Sequence, residues 1–315
     1  MISFLVSAIR LGMAFLLGST GEIITEKVGH LNLGTPGVMC VGAACGCFAE
    51  DLYLSGAGSD ANPILAVLIP VIAAFIGSAL MGFLFSFMTV TLKVNQNVTG
   101  LALTTLGVGI ANYIISQTGF AYIRGAKFFN ASLPFAEDLG WFGEIFLSHG
   151  SLIYFAIIIA LLTAFVFNKT KVGLHLRAVG ENPATADAAG INVSAYKYAA
   201  TCIGCGISGL GGLSFIMNYL NGIWEYCIDA IGWLAIALVI FTVWKPSLAI
   251  IGSIIFGGLY IASSYITGFS IHDNELLKML PYIVTIVVLL FTSIRDSKKN
   301  QPPQSLGITY FREER

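Results

Sequence analysis

The sequence predicts an all-α membrane protein, a polytopic helical bundle of about nine transmembrane segments. Three observations carry that expectation. Hydrophobic residues fill 56 % of the 315 positions and charged residues only 10 %, where soluble domains carry about 25 % charged residues; mean hydropathy is +0.83. The apolar residues form long runs, each near the ~20 residues that cross a hydrocarbon core of about 30 Å. The charges are few and segregated between those runs. A net charge of −1 gives no basis for a nucleic-acid partner, and none is expected.

The expected spans are 2–17, 33–54, 63–92, 98–117, 148–168, 195–220, 229–243, 246–266 and 277–294. The first has no basic n-region and no clear cleavage site, so it reads as a retained span, not a signal peptide. The second is glycine-rich and follows Pro36, which suggests a broken or re-entrant segment. The segment from Ser116 to Ser148 is the longest loop on its side, with aromatics, a proline and room for a short surface helix. The seventh and eighth runs meet at a tight polar turn, Trp244-Lys245-Pro246. The chain then divides into a membrane domain, 1–295, and a polar, extended tail, 296–315.

Lys27, Lys93, Lys169, Lys171, Arg177 and Lys245 all fall on one side if the spans alternate, with only Arg124, Lys127 and Lys278 on the other. Basic loops stay cytoplasmic. The amino terminus is therefore expected outside and the carboxy terminus in the cytoplasm.

The polar island Lys171–Gly190 is the strongest functional signal. Asn182 can cap a helix and Pro183 suits its first position. Alanines continue the helix, Asp187 suits its positive end, and Gly190 can stop it. A helix of about two turns is unstable alone. It needs a surface, and the small face around Ala186 suits close docking by another protein. The plainer alternative is an ordinary cytoplasmic loop.

Other polar groups sit at the edges of spans or inside them. Asn32 and Thr35 lie where glycines and Pro36 interrupt the chain, and can line a translocation path or form a membrane-entry turn. Asn97, Thr99, Thr104 and Asn112 run along one span, where polar side chains contact a solute or bond between helices. Trp224 and Trp233 suit an interfacial belt, with solute capture the sharper alternative. Gly204, Gly206, Gly209, Gly211 and Gly212 with Ser208 form a stripe suited to close helix contact, and Cys202 and Cys205 within the same stretch read as small packing residues. The chain has no phosphate-binding G-x-x-x-x-G-K-[ST] loop, no zinc-ligand spacing and no nucleophile elbow. It is not expected to be an enzyme or to bind a cofactor. Persuasive midspan carboxylates are missing too, which weighs against the rival reading of a stand-alone secondary transporter of a small polar solute.

At these residues the chain resembles the membrane subunits of ABC importers for simple sugars and nucleosides. The likeness rests on Glu26-Lys27-Val-Gly-His-Leu-Asn32-Leu-Gly34, on Val98-Thr99-Gly100, on Gly173 through Pro183, on Ala189-Gly190-Ile-Asn192, and on Trp233 through Phe241 with Trp244-Lys-Pro246. The ending Leu306 through Arg315 is similar to that of the nucleoside branch. The resemblance implies a bacterial inner-membrane permease and makes 181–192 a coupling helix seated in the ATPase. Arg177, Glu181, Asn182, Pro183, Ala186, Asp187 and Gly190 would be its contact residues. It also implies a second permease, an ATPase subunit holding ATP-Mg, and an extracytoplasmic substrate-binding lipoprotein. The chain departs from the family pattern at Gly34-Thr-Pro36-Gly37, at Ala230-Ile231-Gly232 and at Thr242, as one divergent half of a heterodimer would.

Overall fold

The computed structural model describes residues 2–58, 60–132, 139–225, 228–265, 276–294 and 301–311. Among these there is no strand. The long helices are α1 (Ile2–Lys27), α2 (Thr35–Ala57), α3 (Pro63–Ser86) and α4 (Gln96–Ser116). Two short helices, α5 (Ala126–Phe129) and α6 (Gly140–Phe146), fill the loop expected to hold a surface helix. Next come α7 (Ser151–Lys169), α8 (Lys171–Glu181), α9 (Pro183–Ala188), α10 (Val193–Ser214), α11 (Ile228–Phe241), α12 (Pro246–Tyr265) and α13 (Leu280–Ile294). Single π turns extend α3 and α10.

Seven helices are long and apolar enough to cross a membrane: α1, α2, α3, α4, α7, α10 and α12. The shorter apolar helices α11 and α13 coincide with the two remaining expected spans. Two expectations are corrected. The first span does not stop at Leu17; α1 runs on to Lys27. The second is neither broken nor re-entrant; α2 is continuous, with Pro36 in its first turn where a missing N–H costs nothing.

Helix starts follow local chemistry. Asn62 accepts from the Ile64 amide at 2.9 Å, Asn95 from Asn97 at 3.0 Å and Asn192 from Ala195 at 3.0 Å. Each satisfies an amide that has no partner inside the helix.

The centre of the bundle is α10, enclosed by α1, α2 and α3. Glycines make this possible. A Cβ on Gly21 of α1 would lie 2.2 Å from the Gly204 carbonyl of α10, and one on Gly212 would lie 2.0 Å from the Met39 carbonyl of α2. The glycine stripe is thus a seam on which two helices close, as its composition suggests. The Ser208 hydroxyl reinforces it by donating to the Gly18 carbonyl at 3.0 Å. Outward faces carry exposed aliphatic side chains such as Ile72, Ile76, Leu161 and Leu162, a surface suited to lipid.

Hydrogen bonds sort the loops into two ends. At one end Asp51 accepts from the amides of Gly119 and Ala121, and Asn218 donates to the Phe129 carbonyl. At the other end meet the α1–α2 link, the start of α4, the α8–α9 elbow and residues 301–311. The alternation expected from charge places the same segments together.

Candidate functional site

The α8–α9 elbow begins where Thr170 ends α7 and caps α8, accepting from the Gly173 amide at 3.1 Å. The sequence did not suggest α8 as a separate helix. Its buried face is Gly173, Leu176, Val179 and Gly180, while Arg177 and Glu181 are exposed. Gly180 fits tightly: an added Cβ would lie 2.1 Å from the Lys27 carbonyl at the end of α1.

Asn182 then caps α9, accepting from the Thr185 amide at 3.0 Å, with Pro183 in the first turn as expected. The helix spans Pro183–Ala188, shorter than the expected 181–192. Gly190 ends it with φ +84, in the left-handed region that favours glycine. Ala186, expected on the docking face, is only 3 % exposed and packs into this chain's own core. A bulky side chain there would disturb the fold. The outward residues are Thr185, Ala188 and Ala189, with Glu181 and Asn182 just before them.

The tail is not a free extension. Its described part folds back on the elbow and fastens it. The Ser305 amide donates to the Gly180 carbonyl at 3.0 Å, and the Gly307 amide to Gly29 at 3.2 Å. Tyr310 donates to Asp187 at 2.9 Å. Gln96, at the start of α4, accepts from the Leu31 amide at 2.8 Å and donates to the Ile308 carbonyl at 3.4 Å. The elbow is thereby tied through the tail to the α1–α2 link and the start of α4. This clasp could not be read locally, because the tail's partners lie 123 to 278 positions away in sequence.

Of the residues expected along a path, four are engaged inside the bundle. Thr35 donates to Glu22. Asn32 accepts from the Gly34 amide at 3.0 Å and donates to the Cys205 sulfur at 3.4 Å. Thr104 donates to the Leu33 carbonyl at 2.8 Å, and Thr99 to Asn95 at 2.8 Å. Asn97 is exposed, and Asn112 and Trp233 are half-buried. The structure does not gather all seven into one cavity. On α4, however, Asn97, Thr104 and Asn112 fall within one stripe at helical spacing.

The sequence reading missed the groups beneath this layer. Glu22 and Glu26 are buried in the inner part of α1, four residues apart and so on one helix face. Glu26 accepts from the Trp244 indole and Glu22 from Thr35. The i, i+4 spacing was visible, but ending the first span at Leu17 left both carboxylates in a loop. Both are burials within the helical bundle: Glu26 anchors Trp244, and Glu22 anchors Thr35 through one oxygen, its Oε1 being without a hydrogen-bond partner among the described residues.

His30, also 1 % exposed, bonds through Nδ1 to the Thr201 hydroxyl at 2.8 Å. Burial first, then the charge of Lys197, hold this imidazole well below its ordinary range. The unfolded chain takes up a proton near pH 6.5, while the buried ring stays neutral. Its contribution is complete above that pH and is lost as pH falls toward the folded value. The melting temperature of the purified chain is expected to drop between pH 7 and pH 5.5, and His30→Asn is expected to flatten that slope. An unchanged slope in the variant would remove His30 from the account.

This is the architecture of a polytopic membrane protein: a helical bundle with apolar outward faces and an exposed, fastened elbow at one end. The family model for the permease component of branched-chain amino acid transport systems matches residues 4–289, and the chain belongs to that permease family. It is similar to the nucleoside ABC transporter permease protein NupC of Lactococcus lactis, with 31 % identity covering 93 % of this chain and 92 % of the relative. The putative glucose ABC transporter permease protein TsgC13 of Haloferax volcanii shares 29 % identity over 98 % and 97 %. The guanosine ABC transporter permease protein NupQ of Bacillus subtilis shares 28 % over 95 % and 93 %. Permeases named NupB and NupP, from the same two organisms as NupC and NupQ, match at 22 % and 24 %. The chain is an ABC-type permease subunit, and its work is passage across a membrane, not covalent chemistry.

Proposed function

We propose that this chain is one of two permeases in an inner-membrane ABC importer of nucleosides, with α9 as the coupling helix that a separate ATPase grips. The observation that carries this reading is near full-length similarity to NupC and NupQ. A simple sugar is the second choice of cargo, favoured by TsgC13 alone. The pairing of NupB with NupC, and of NupP with NupQ, supports a second, non-identical permease.

In this reading the elbow end faces the cytoplasm, because Lys93, Lys169, Lys171, Arg177 and Lys245 gather there. The amino terminus is then outside, and cargo arrives from an extracytoplasmic binding lipoprotein. Residues 1–295 form the membrane domain and 296–315 the cytoplasmic tail. ATP and magnesium sit in the ATPase, and ATP binding there moves α9. Because the elbow is fastened to the α1–α2 link and to α4, the movement reaches the helices around α10. The α4 stripe of Asn97, Thr104 and Asn112, with Asn32, Thr35, Thr99 and Trp233 near it, is the proposed cargo path.

The test is reconstitution of this chain with its second permease, ATPase and binding protein in proteoliposomes. ATP-dependent uptake of labelled guanosine, competed by other nucleosides and not by glucose, is expected. Uptake by this chain alone under an ion gradient, without ATPase, would sink the reading in favour of a secondary transporter.

A further inference from the structure

Beside α9 lies a polar pocket of about 390 Å³ outside the proposed cargo path, with Asp187 and Gly190 of the α9 end on its wall. Its floor is the first turn of α10, including Asn192, Ser194 and Lys197. Thr89, in the π turn that ends α3, and Lys93 supply a second wall. Asp187 and Tyr310 close the side toward α9.

Lys197 is the anomaly. It is only 3 % exposed, it lines this pocket, and among the described residues it has no ion-pair or hydrogen-bond partner. A buried ammonium is costly unless something neutralises it. The surroundings add positive potential instead. The 22-residue α10 presents its amino terminus here, and the amides of Val193 and Ser194 lie ahead of its first intrahelical bond. The Asn192 side chain is occupied with Ala195 and leaves those amides available. Lys93 is exposed, its ammonium 4.5 Å from the Phe311 ring centre. The opposing charge is Asp187, which accepts from Tyr310 at 2.9 Å and has a further partner. Two ammonium groups and a helix start thus face one engaged carboxylate.

We propose that this pocket binds a phosphate-class anion, with Lys197 and the start of α10 as its base and Lys93 at its mouth. The group recognised is a phosphate ester, carried either by a phospholipid headgroup or by a soluble phosphorylated compound. Seated there, it touches α3, α9, α10 and the tail together, and so sets how firmly α9 is held. The proposal goes beyond the importer reading and does not depend on it.

The test uses the purified full chain in detergent. In one arm inorganic phosphate is titrated against melting temperature, with chloride at matched ionic strength as reference. In the other, retained phosphatidylglycerol is counted by native mass spectrometry after delipidation. Saturable stabilisation by phosphate identifies a soluble ligand; one tightly retained lipid that phosphate does not displace identifies a headgroup. In either case Lys197→Met is expected to weaken binding at least about tenfold. Lys93→Gln, at an exposed position that packing tolerates, is expected to weaken it several-fold and decides the matter if Lys197→Met does not fold. The proposal is overturned if wild type shows neither signal, or if the folded variants bind as wild type does. Uptake is not the readout, so such a failure leaves the coupling role of α9 untouched.

Discussion

Gly21→Leu is expected to remove the folded permease from the membrane, cutting the monodisperse yield in detergent by tenfold or more. The new Cβ alone would sit 2.2 Å from the Gly204 carbonyl, 2.3 Å from the Ser208 hydroxyl and 2.8 Å from the Ser208 amide. Ordinary carbon contacts lie at about 3.5–4.0 Å. Two of these three obstacles are backbone atoms of α10, so no rotamer change relieves the clash. The helices α1 and α10 would have to separate along the seam that also carries the Ser208–Gly18 bond. Overpacking in a core that can relax costs about 1–3 kcal/mol; a seam walled by backbone cannot relax that way, and total stability is only about 5–15 kcal/mol. Gly56→Ala is the control, since a Cβ there meets nothing within 4 Å, and its yield is expected to match wild type. Equal yields from both variants would mean that α1 and α10 do not cross at these glycines.

Ala188→Trp is expected to abolish ATP-driven uptake, to a tenth of wild type or less, while yield and melting temperature hold. Ala188 is exposed on α9, so within this chain the larger ring costs little. If α9 sits in a groove of the ATPase, the groove has no room for an indole. Ala186→Trp, two residues earlier, is expected to fail differently. That side chain is 3 % exposed, so the substitution lowers folded yield before coupling can be asked about. Glu181→Lys reverses a charge at the exposed elbow and is expected to reduce uptake less than Ala188→Trp does. It also disturbs the 3.4 Å contact from the Gln304 amide. Full ATP-driven uptake by a folded Ala188→Trp protein would end the coupling role of α9.

Much of the architecture was legible because it is written in short-range terms. A run of apolar residues long enough to span requires no distant partner to be recognised, and each expected run is occupied by an apolar helix. The caps at Asn182 with Pro183 and the stop at Gly190 obey the same logic, since a cap and the amide it satisfies are two or three residues apart. The glycine stripe on α10 announced a close approach, though not which helices would approach. The outward and inward faces of α9 were harder to read. Three of its six residues are alanine and Ala189 follows, so the helix carries almost no amphipathic pattern and nothing local marked Ala186 as the buried one.

What the sequence alone determined is the helical membrane bundle, seven of its helices long and apolar enough to span, and the short capped helix between α7 and α10, because hydropathy and capping act over a few residues. Only the tertiary structure decided that Glu22 and Glu26 are buried, that the tail clasps the elbow, and that Lys197 lines a pocket with no ion-pair or hydrogen-bond partner among the described residues. Whether a charge is solvated or enclosed depends on which groups arrive beside it. For Glu26 that group is Trp244, 218 positions along the chain.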